Sequence, residues 1–329
     1  MTSHPARIVY FGTPAYAVPA LRALTQDPRY DVALVVTQPD RPAGRGRELQ
    51  TPAVKTAAEE LGIEVYQPAT LRNAAAREPL AALDADLFVV AAYGLIFGPK
   101  TLALPRHGCL NLHASVLPAY RGASPVTAAI LAGDRETGVS LMVMETGLDT
   151  GPVVDRVMMP ISDDDTTESL TARLADVAAR LAVNSADRFV AGELAARPQN
   201  AGSATKVRPL VKADGWLDWG DAAIELDRRV RAMWPWPRGW TTFRNEALQV
   251  HRATALPEQG DATPGMVESR PDALLVGTGC GVLRLDVVQP AGGRAMPGNV
   301  WARGRRVESG NRLGRDGAPE PPPPLITMA

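Results

Sequence analysis

The sequence predicts an α/β protein in which a Rossmann-like open sheet is followed by a smaller, OB-like β-barrel. Two observations carry this prediction. In the first half, short apolar runs alternate with amphipathic stretches, as in parallel sheets whose strands are buried by crossover helices. In the second half, short β-type runs are separated by turn residues at regular spacing, which is typical of small antiparallel barrels.

The elements of the first half follow one another in a regular order. The predicted strands are residues 7–11, 32–37, 64–66, 86–91, 109–113 and 139–144. Helical spacing of apolar residues predicts helices at residues 18–24, 53–61, 75–83 and 126–131, and a long helix at 166–189 closes the unit.

The periodic pattern lapses between residues 191 and 209, a polar stretch longer than most connections within a domain, so we interpret it as a linker. A first domain then spans residues 1–190 and a second spans 210–315. The second domain is predicted to hold a helix at 222–233 and strands at 240–244, 247–253, 265–268, 273–278 and 282–288. Residues 316–329 are rich in proline and are predicted to form a disordered tail.

Composition excludes several classes of protein. The 329 residues are 45% hydrophobic and 22% charged, as in ordinary globular proteins. The longest apolar runs, such as residues 87–93, are far shorter than the roughly 20 residues that span a bilayer, so no membrane partner is expected. The first residues lack the features of a secretion signal, and Cys109 and Cys280 are too few for a disulfide framework. We therefore expect a cytoplasmic protein.

Charge is unevenly distributed along the chain. Residues 1–203 hold 18 Lys/Arg against 22 Asp/Glu, whereas residues 204–315 hold 17 against 12. The positive second half favours a polyanionic partner such as a nucleic acid, through the release of counterions from phosphates. A solvated basic surface without a partner explains the same counts, so charge alone leaves both interpretations open.

Two polar side chains share one face of the predicted strand at 109–113. Because side chains alternate along a strand, Asn111 and His113 point to one side while Leu110 and Leu112 point to the other. The carboxyl end of such a strand faces the ligand crevice of open α/β sheets. An amide and an imidazole there can polarise a carbonyl group and supply a proton, although a hydrogen-bonded pair in the core has the same pattern.

A carboxylate follows the next apolar strand. Asp149 lies in the glycine-flanked segment 147–151, for which an ordinary turn aspartate is the alternative interpretation. A carboxylate beside His113 would favour the charged imidazolium, which stabilises a developing oxyanion. With Asn111, the three side chains would form a site without a nucleophile of its own, suited to direct attack of one substrate on another.

Other motifs predict little chemistry. The turn at Gly12 lacks the Gly-x-Gly-x-x-Gly pattern and contains Pro14, so no dinucleotide cofactor is expected. His107, Cys109 and His113 lack the spacing and the fourth ligand of a zinc site, so no metal is expected either.

Longer stretches of the chain resemble a known family. Residues 111–122 (NLHASVLPAYRG), followed by 147–151 (GLDTG), resemble the signature of folate-dependent formyltransferases. Within that family the chain is similar to the branch that acts on methionyl initiator tRNA. This similarity runs from Arg7 to about Leu313 and includes residues 11–14, 37–46, 92–94, 215–219, 234–237 and 289–292.

The resemblance implies an activity and a division of labour between the domains. The activity would be transfer of the formyl group of 10-formyltetrahydrofolate to the amino group of methionyl initiator tRNA, for translation initiation. The family's catalytic trio falls on Asn111, His113 and Asp149. The first domain would be catalytic, the second would bind tRNA, and the protein would act as a monomer.

The resemblance also assigns binding segments. The family's folate-contacting segment falls on Ser115, Val116, Leu117 and Pro118, whose extended backbone would pair with the edge of the pterin. The loop at residues 39–52, too irregular in sequence for a helix or a strand, resembles the family's tRNA-contacting loop. The basic side chains expected to contact tRNA are Arg41, Arg45, Arg47, Lys206 and Arg208.

Three rival functions fit the residues less well. A formyltransferase that acts on a nucleotide sugar, such as a UDP-aminosugar, would share the trio and a similar second domain, but it has no need of three arginines in the loop 39–52. Glycinamide ribonucleotide transformylase has no need of the second domain. An RNA-binding protein with an inactive formyltransferase domain conflicts with the intact trio.

Overall fold

A seven-stranded sheet organises the first part of the chain in the computed structural model, which describes residues 4–43, 48–258, 262–314 and 316–329. The strands of this part are β1 (Ala6–Gly12), β2 (Tyr30–Val36), β3 (Arg41–Ala43), β4 (Glu48–Gln50), β5 (Val65–Tyr66), β6 (Leu87–Ala91), β7 (Cys109–His113), β8 (Arg121–Gly122), β9 (Glu136–Val143) and β10 (Val153–Pro160). The helices are α1 (Val18–Gln26), α2 (Ala53–Glu60), α3 (Ala74–Ala82), α4 (Pro99–Leu102), α5 (Pro125–Ala132) and α6 (Thr167–Val190). The order of strands in the large sheet is β10-β9-β7-β6-β1-β2-β5.

Side chains of β1 alternate between two cores, one on each face of the sheet. Ile8 and Tyr10 are buried in the cluster that includes residues of α1 and α6. Val9 and Phe11 are buried in the other cluster, which includes Leu80 of α3. Because both faces are covered, the strands read as continuous apolar runs rather than as alternating ones.

The direction of the strands differs from the prediction at one edge of the sheet. Strands β1, β2, β5, β6 and β7 are parallel, but β9 pairs antiparallel with β7, and β10 pairs antiparallel with β9. The parallel arrangement that the sequence pattern indicates therefore does not extend to this edge of the sheet. Only residues 144–152 connect β9 to β10, too few for the crossover that a parallel pair requires.

An antiparallel barrel forms the second part of the chain. The remaining strands are β11 (Thr205–Val207), β12 (Gly239–Phe243), β13 (Glu246–Leu256), β14 (Val267–Ser269), β15 (Leu274–Gly277), β16 (Val282–Pro290), β17 (Met296–Pro297) and β18 (Ile326–Met328), and the remaining helices are α7 (Ala223–Ala232) and α8 (Gly298–Gly304). The barrel sheet has the order β12-β13-β16-β15-β14, with β17 beside β16.

Residues 310–314, which were not predicted to form a strand, close this barrel. On one side the Val267 N–H donates to the carbonyl of Asn311 at 2.8 Å, and on the other the Gly314 N–H donates to the carbonyl of Thr242 at 2.9 Å. The segment thereby bridges β14 and β12, the two ends of the sheet. The OB-like architecture predicted for the second domain is confirmed.

The long helix α6 lies where the two parts of the chain meet. Near its start, the Thr167 hydroxyl donates to the carbonyl of Ala232 in α7 at 2.7 Å, and the indole of Trp234 donates to Glu168 at 2.9 Å. Within the described ranges, none of the helices, α6 included, combines the length and the apolar character needed to cross a membrane.

A small three-stranded sheet contains strands from two segments that were predicted to be irregular, the linker at 191–209 and the tail at 316–329. Its order is β18-β11-β8, so a strand from the expected linker lies between a strand of the first domain and one from residues 316–329. The prolines at 321–324 cannot donate hydrogen bonds, but the residues that follow them retain their N–H groups and pair with β11. The expectation that 316–329 is disordered is therefore wrong for this strand.

We predict that proline substitutions in β18 have opposite outcomes at adjacent positions. Two hydrogen bonds fix the pairing: the Ala329 N–H donates to the carbonyl of Ala204, and the Arg208 N–H donates to that of Leu325. Because N–H groups alternate in direction along a strand, the Thr327 N–H points toward β11 and the Met328 N–H points away from it. Thr327→Pro should lower the free energy of unfolding by about 1–3 kcal/mol, measured by thermal or denaturant unfolding. Met328→Pro is the matched control, and equal losses in both variants would contradict this pairing.

Candidate active site

The end of β7 presents the first two members of the predicted trio. Cys109, Asn111 and His113 lie on one face of this strand, as the alternation predicts. His113 is buried, with only 6% of its surface exposed, while Asn111 is half-buried. The strand lies in the interior of the sheet between β6 and β9, so the positions of both side chains are fixed by paired backbone on either side.

Asp149 lies opposite these two side chains, and its carboxylate is their common neighbour. One carboxylate oxygen accepts a hydrogen bond from the Asn111 amide at 3.4 Å. The other accepts from the backbone N–H of Gly122 at 2.8 Å and lies 3.6 Å from Nδ1 of His113. The structure thus brings Asn111, His113 and Asp149 together at one point.

The ring of His113 has an acceptor on each side. Nε2 lies 2.9 Å from the carbonyl oxygen of Tyr120, and Nδ1 faces the Asp149 carboxylate. A carbonyl oxygen cannot donate, so Nε2 must carry a proton. The Asp149 carboxylate on the other side of the ring can likewise only accept a hydrogen bond.

Two backbone positions allow Asp149 to reach its partners. Asp149 itself has a φ of 52°, a left-handed conformation that side-chain-bearing residues seldom adopt. At Gly151 an added Cβ would lie 1.8 Å from the carbonyl oxygen of Val143, so only glycine allows the turn to approach β9 so closely.

Cys109 is the nearest thiol on the same strand, and its environment keeps it unreactive. Burial raises the pKa of this thiol to about 12, and its sulfur lies 3.9 Å from the carbonyl oxygen of Leu102. A thiol with so high a pKa is not ionised near neutral pH, and the thiolate is the nucleophilic form.

Two family models match this chain over both of its parts. The one described as formyl transferase matches residues 6–185, and the one described as formyl transferase, C-terminal domain, matches residues 209–306. A curated methionyl-tRNA formyltransferase from Roseiflexus sp. (strain RS-1) is 44% identical to this chain over 94% of it and 96% of the relative. Another, from Methylococcus capsulatus, is 45% identical over 94% of this chain and 99% of the relative. The chain belongs to the formyltransferase family.

Solved structures resemble this formyltransferase over both domains. The N-formyltransferase from Helicobacter canadensis, in complex with folinic acid and dTDP-3-aminofucose, has a TM-score of 0.65 at 18% identity and covers 85% of this chain and 99% of its own. HypX from Aquifex aeolicus, in complex with tetrahydrofolic acid, has a TM-score of 0.58 at 16% identity and covers 91% of this chain and 47% of its own. Such similarity bears on the fold, and it agrees with the predicted architecture.

The predicted folate segment of the formyltransferase has a different backbone from the one expected. Residues 115–118 form a bend and a turn rather than an extended stretch. The Ser140 hydroxyl of β9 donates to the carbonyl of Ser115 at 2.7 Å and accepts from the Leu117 N–H at 3.0 Å. These groups are therefore already paired within the protein. Ser115 and Leu117 are buried, and the partly exposed members of the segment are Val116 and Pro118.

The basic residues predicted to contact tRNA differ from one another in their secondary structure and in their hydrogen-bond partners. Arg41 is exposed on β3, where its guanidinium donates to Gln38 at 2.8 Å, and β3 pairs with β4 although no strand was expected in this loop. Lys206 is exposed in β11. Two predicted contacts, Arg45 and Arg47, lie outside the described residues.

Arg208 has a structural role that the sequence did not predict. Its guanidinium makes a two-pronged ion pair with the carboxylate of Asp214, at 2.8 and 2.6 Å, and donates to the carbonyl of Pro323 at 2.7 Å. Burial alone would raise the pKa of Asp214, but the hydrogen bonds from Arg208 and from the Val211 N–H, together with nearby positive charge, hold it below its usual value. We therefore correct the interpretation of Arg208 as a free phosphate contact.

Proposed function

We propose that this formyltransferase transfers the formyl group of 10-formyltetrahydrofolate to the amino group of methionine esterified to initiator tRNA. The observation that carries the chemistry is the meeting of Asn111, His113 and Asp149 at the end of β7. The choice of methionyl-tRNA is supported by curated relatives of that name, which are 44% identical over 94% of the chain. We further propose that the protein acts as a monomer in the cytoplasm and needs no metal.

The reaction forms one carbon–nitrogen bond and breaks another. The uncharged amine of the methionyl group attacks the formyl carbon, and the carbonyl electrons move onto the oxygen to give a tetrahedral oxyanion. When the oxyanion collapses, the bond from carbon to N10 of the folate breaks, and N10 gains the proton that the amine loses. No covalent bond to the protein is formed.

Each member of the trio then has a distinct task. The Asn111 amide and the protonated His113 donate hydrogen bonds to the oxyanion, and the oxyanion competes with the Tyr120 carbonyl for the Nε2 proton. The Asp149 carboxylate stabilises the imidazolium and orders the water that carries the proton from the amine to N10.

The exposure of the predicted binding residues indicates which of them can contact the folate and the tRNA. Val116 and Pro118 would contact the folate with their side chains, because the backbone groups of Ser115 and Leu117 are engaged elsewhere. For tRNA, we retain Arg41 and Lys206, which are exposed. We also retain Arg45 and Arg47, which belong to the same loop, residues 39–52, as Arg41. The positive excess of residues 204–315 would add a sequence-independent attraction for phosphates.

The substrate is tested by offering methionyl initiator tRNA and a UDP-aminosugar in parallel, with 10-formyltetrahydrofolate as the donor. We expect formyl transfer to the tRNA alone. Formylation of the sugar alone would retain the chemistry but refute the acceptor, and neither product would point to an inactive RNA-binding relative.

We predict that His113→Ala and Asp149→Asn each lower kcat by about 10²–10⁴-fold, because each removes a proton-handling group from the transition state. Affinity for tRNA should remain close to that of the wild type, measured by filter binding or fluorescence. Asp163→Asn, which changes an exposed carboxylate of the same domain, is the control. Normal turnover in either active-site variant would refute the mechanism.

Arg41→Ala should weaken binding of tRNA and reduce the slope of log affinity against log salt concentration by about one, as expected when one phosphate contact is lost. The measurement is the salt dependence of the tRNA dissociation constant. Arg22→Ala, at a partly exposed arginine of α1 that pairs with Glu60, is the matched control. An unchanged slope would remove Arg41 from the proposed interface.

A further inference from the structure

We infer that Gln199 is a positioning residue that holds the Asp149 turn in its active geometry; this inference rests on the proposed function. The residue lies in the stretch between the two domains, where its sequence surroundings gave no sign of a role. Its amide Nε2 donates to the carbonyl of Asp149 at 2.8 Å and to the carbonyl of Gly151 at 2.7 Å. One side chain thus holds two carbonyl groups of the turn that presents the catalytic carboxylate.

The orientation of the Gln199 amide is fixed by Arg121. The amide oxygen accepts from Nε of Arg121 at 3.1 Å and from one of its terminal nitrogens at 2.8 Å. A guanidinium can only donate and the two turn carbonyls can only accept, so the reverse orientation of the amide would lose all four hydrogen bonds.

Arg121 is a cation with an unusual environment. It is 6% exposed, and among the described residues no carboxylate oxygen lies within 4.0 Å of its guanidinium. Its hydrogen-bonding partner there is the neutral oxygen of Gln199. A buried charge with so few partners makes rotation of this amide costly, because the guanidinium would lose its acceptor.

The turn requires this support because of its own conformation. The left-handed φ of 52° at Asp149 is unfavourable for a residue with a side chain. The Gly122 N–H holds the carboxylate, but it does not fix the backbone on which the carboxylate is carried. The Gln199 amide supplies that restraint on both sides of Thr150.

Only glutamine fits this position among the residues closest to it in shape. The carboxylate of a glutamate would accept hydrogen bonds from the Arg121 guanidinium. Its other oxygen, however, would lie against the two turn carbonyls and would repel them. Leucine offers neither donor nor acceptor, and asparagine is one methylene shorter, so it cannot span the same three partners.

The test uses the full-length protein and compares Gln199→Leu with Gln289→Leu. Gln289 is the matched control, because it also accepts from an arginine, Arg238, but lies in the barrel. We expect kcat to fall by about 10- to 100-fold in Gln199→Leu, the scale of a misplacement of about 1 Å, with KM for both substrates within about twofold of the wild type. Gln289→Leu should retain the wild-type kcat.

A second variant separates positioning from a merely structural role. Gln199→Glu should lower kcat at neutral pH, because its carboxylate repels the carbonyls of Asp149 and Gly151. The carboxylate still accepts hydrogen bonds from Arg121, so a loss of kcat in this variant reports the loss of the bonds to the turn.

The outcomes distinguish the two proposals. If the wild-type protein does not formylate methionyl-tRNA, the proposed function fails. If the wild type is active and Gln199→Leu turns over equally fast, or if its loss appears in KM rather than in kcat, the positioning role is refuted. A wild-type kcat in Gln199→Glu would also overturn it.

Discussion

The carboxylate of Asp149 is the one group on which the geometry of the site depends. It is largely buried, with 13% of the side chain exposed, and a buried charge is tolerated only when donors surround it. Those donors come from β7 and β8, which are distant in sequence from residue 149. Meeting them forces the left-handed backbone at Asp149 and the close approach of Gly151 to β9. The backbone conformation of this loop is therefore determined by the hydrogen bonds that the Asp149 carboxylate requires.

The sequence was sufficient where the determining signal is local. Alternation along β7 placed Asn111 and His113 on one face because that property depends only on the period of a strand. Continuous apolar runs located most of the large sheet, because burial on both faces also leaves a signal within each strand. Asp149 has the sequence context of an ordinary turn aspartate; its place after the next apolar strand suggested a site with Asn111 and His113, and the resemblance to a family assigned the same three residues.

The sequence was insufficient where a contact from far along the chain determines the outcome. Residues 115–118 look like an extended exit from a strand, but the Ser140 hydroxyl folds them into a turn. Arg208 looks like one basic residue among many, but its charge is balanced by Asp214, six residues away and brought close by a 3-10 turn. Gln199 is one polar residue in a polar stretch, and nothing in its neighbourhood marks it.

The pairing of β18 with β11 also determines how late in synthesis the three-stranded sheet can form. β18 begins at Ile326, more than 200 residues after β8 ends at Gly122. Ribosomes extend the chain from its N-terminus and domains fold as units, so the large sheet can form while the edge of β11 still has no partner. Strand edges with free N–H groups are sites of aberrant association. A chain that lacks residues 326–328, whether nascent or shortened by proteolysis, would thus expose the unpaired edge of β11, beside β8 and its contact with the Asp149 carboxylate.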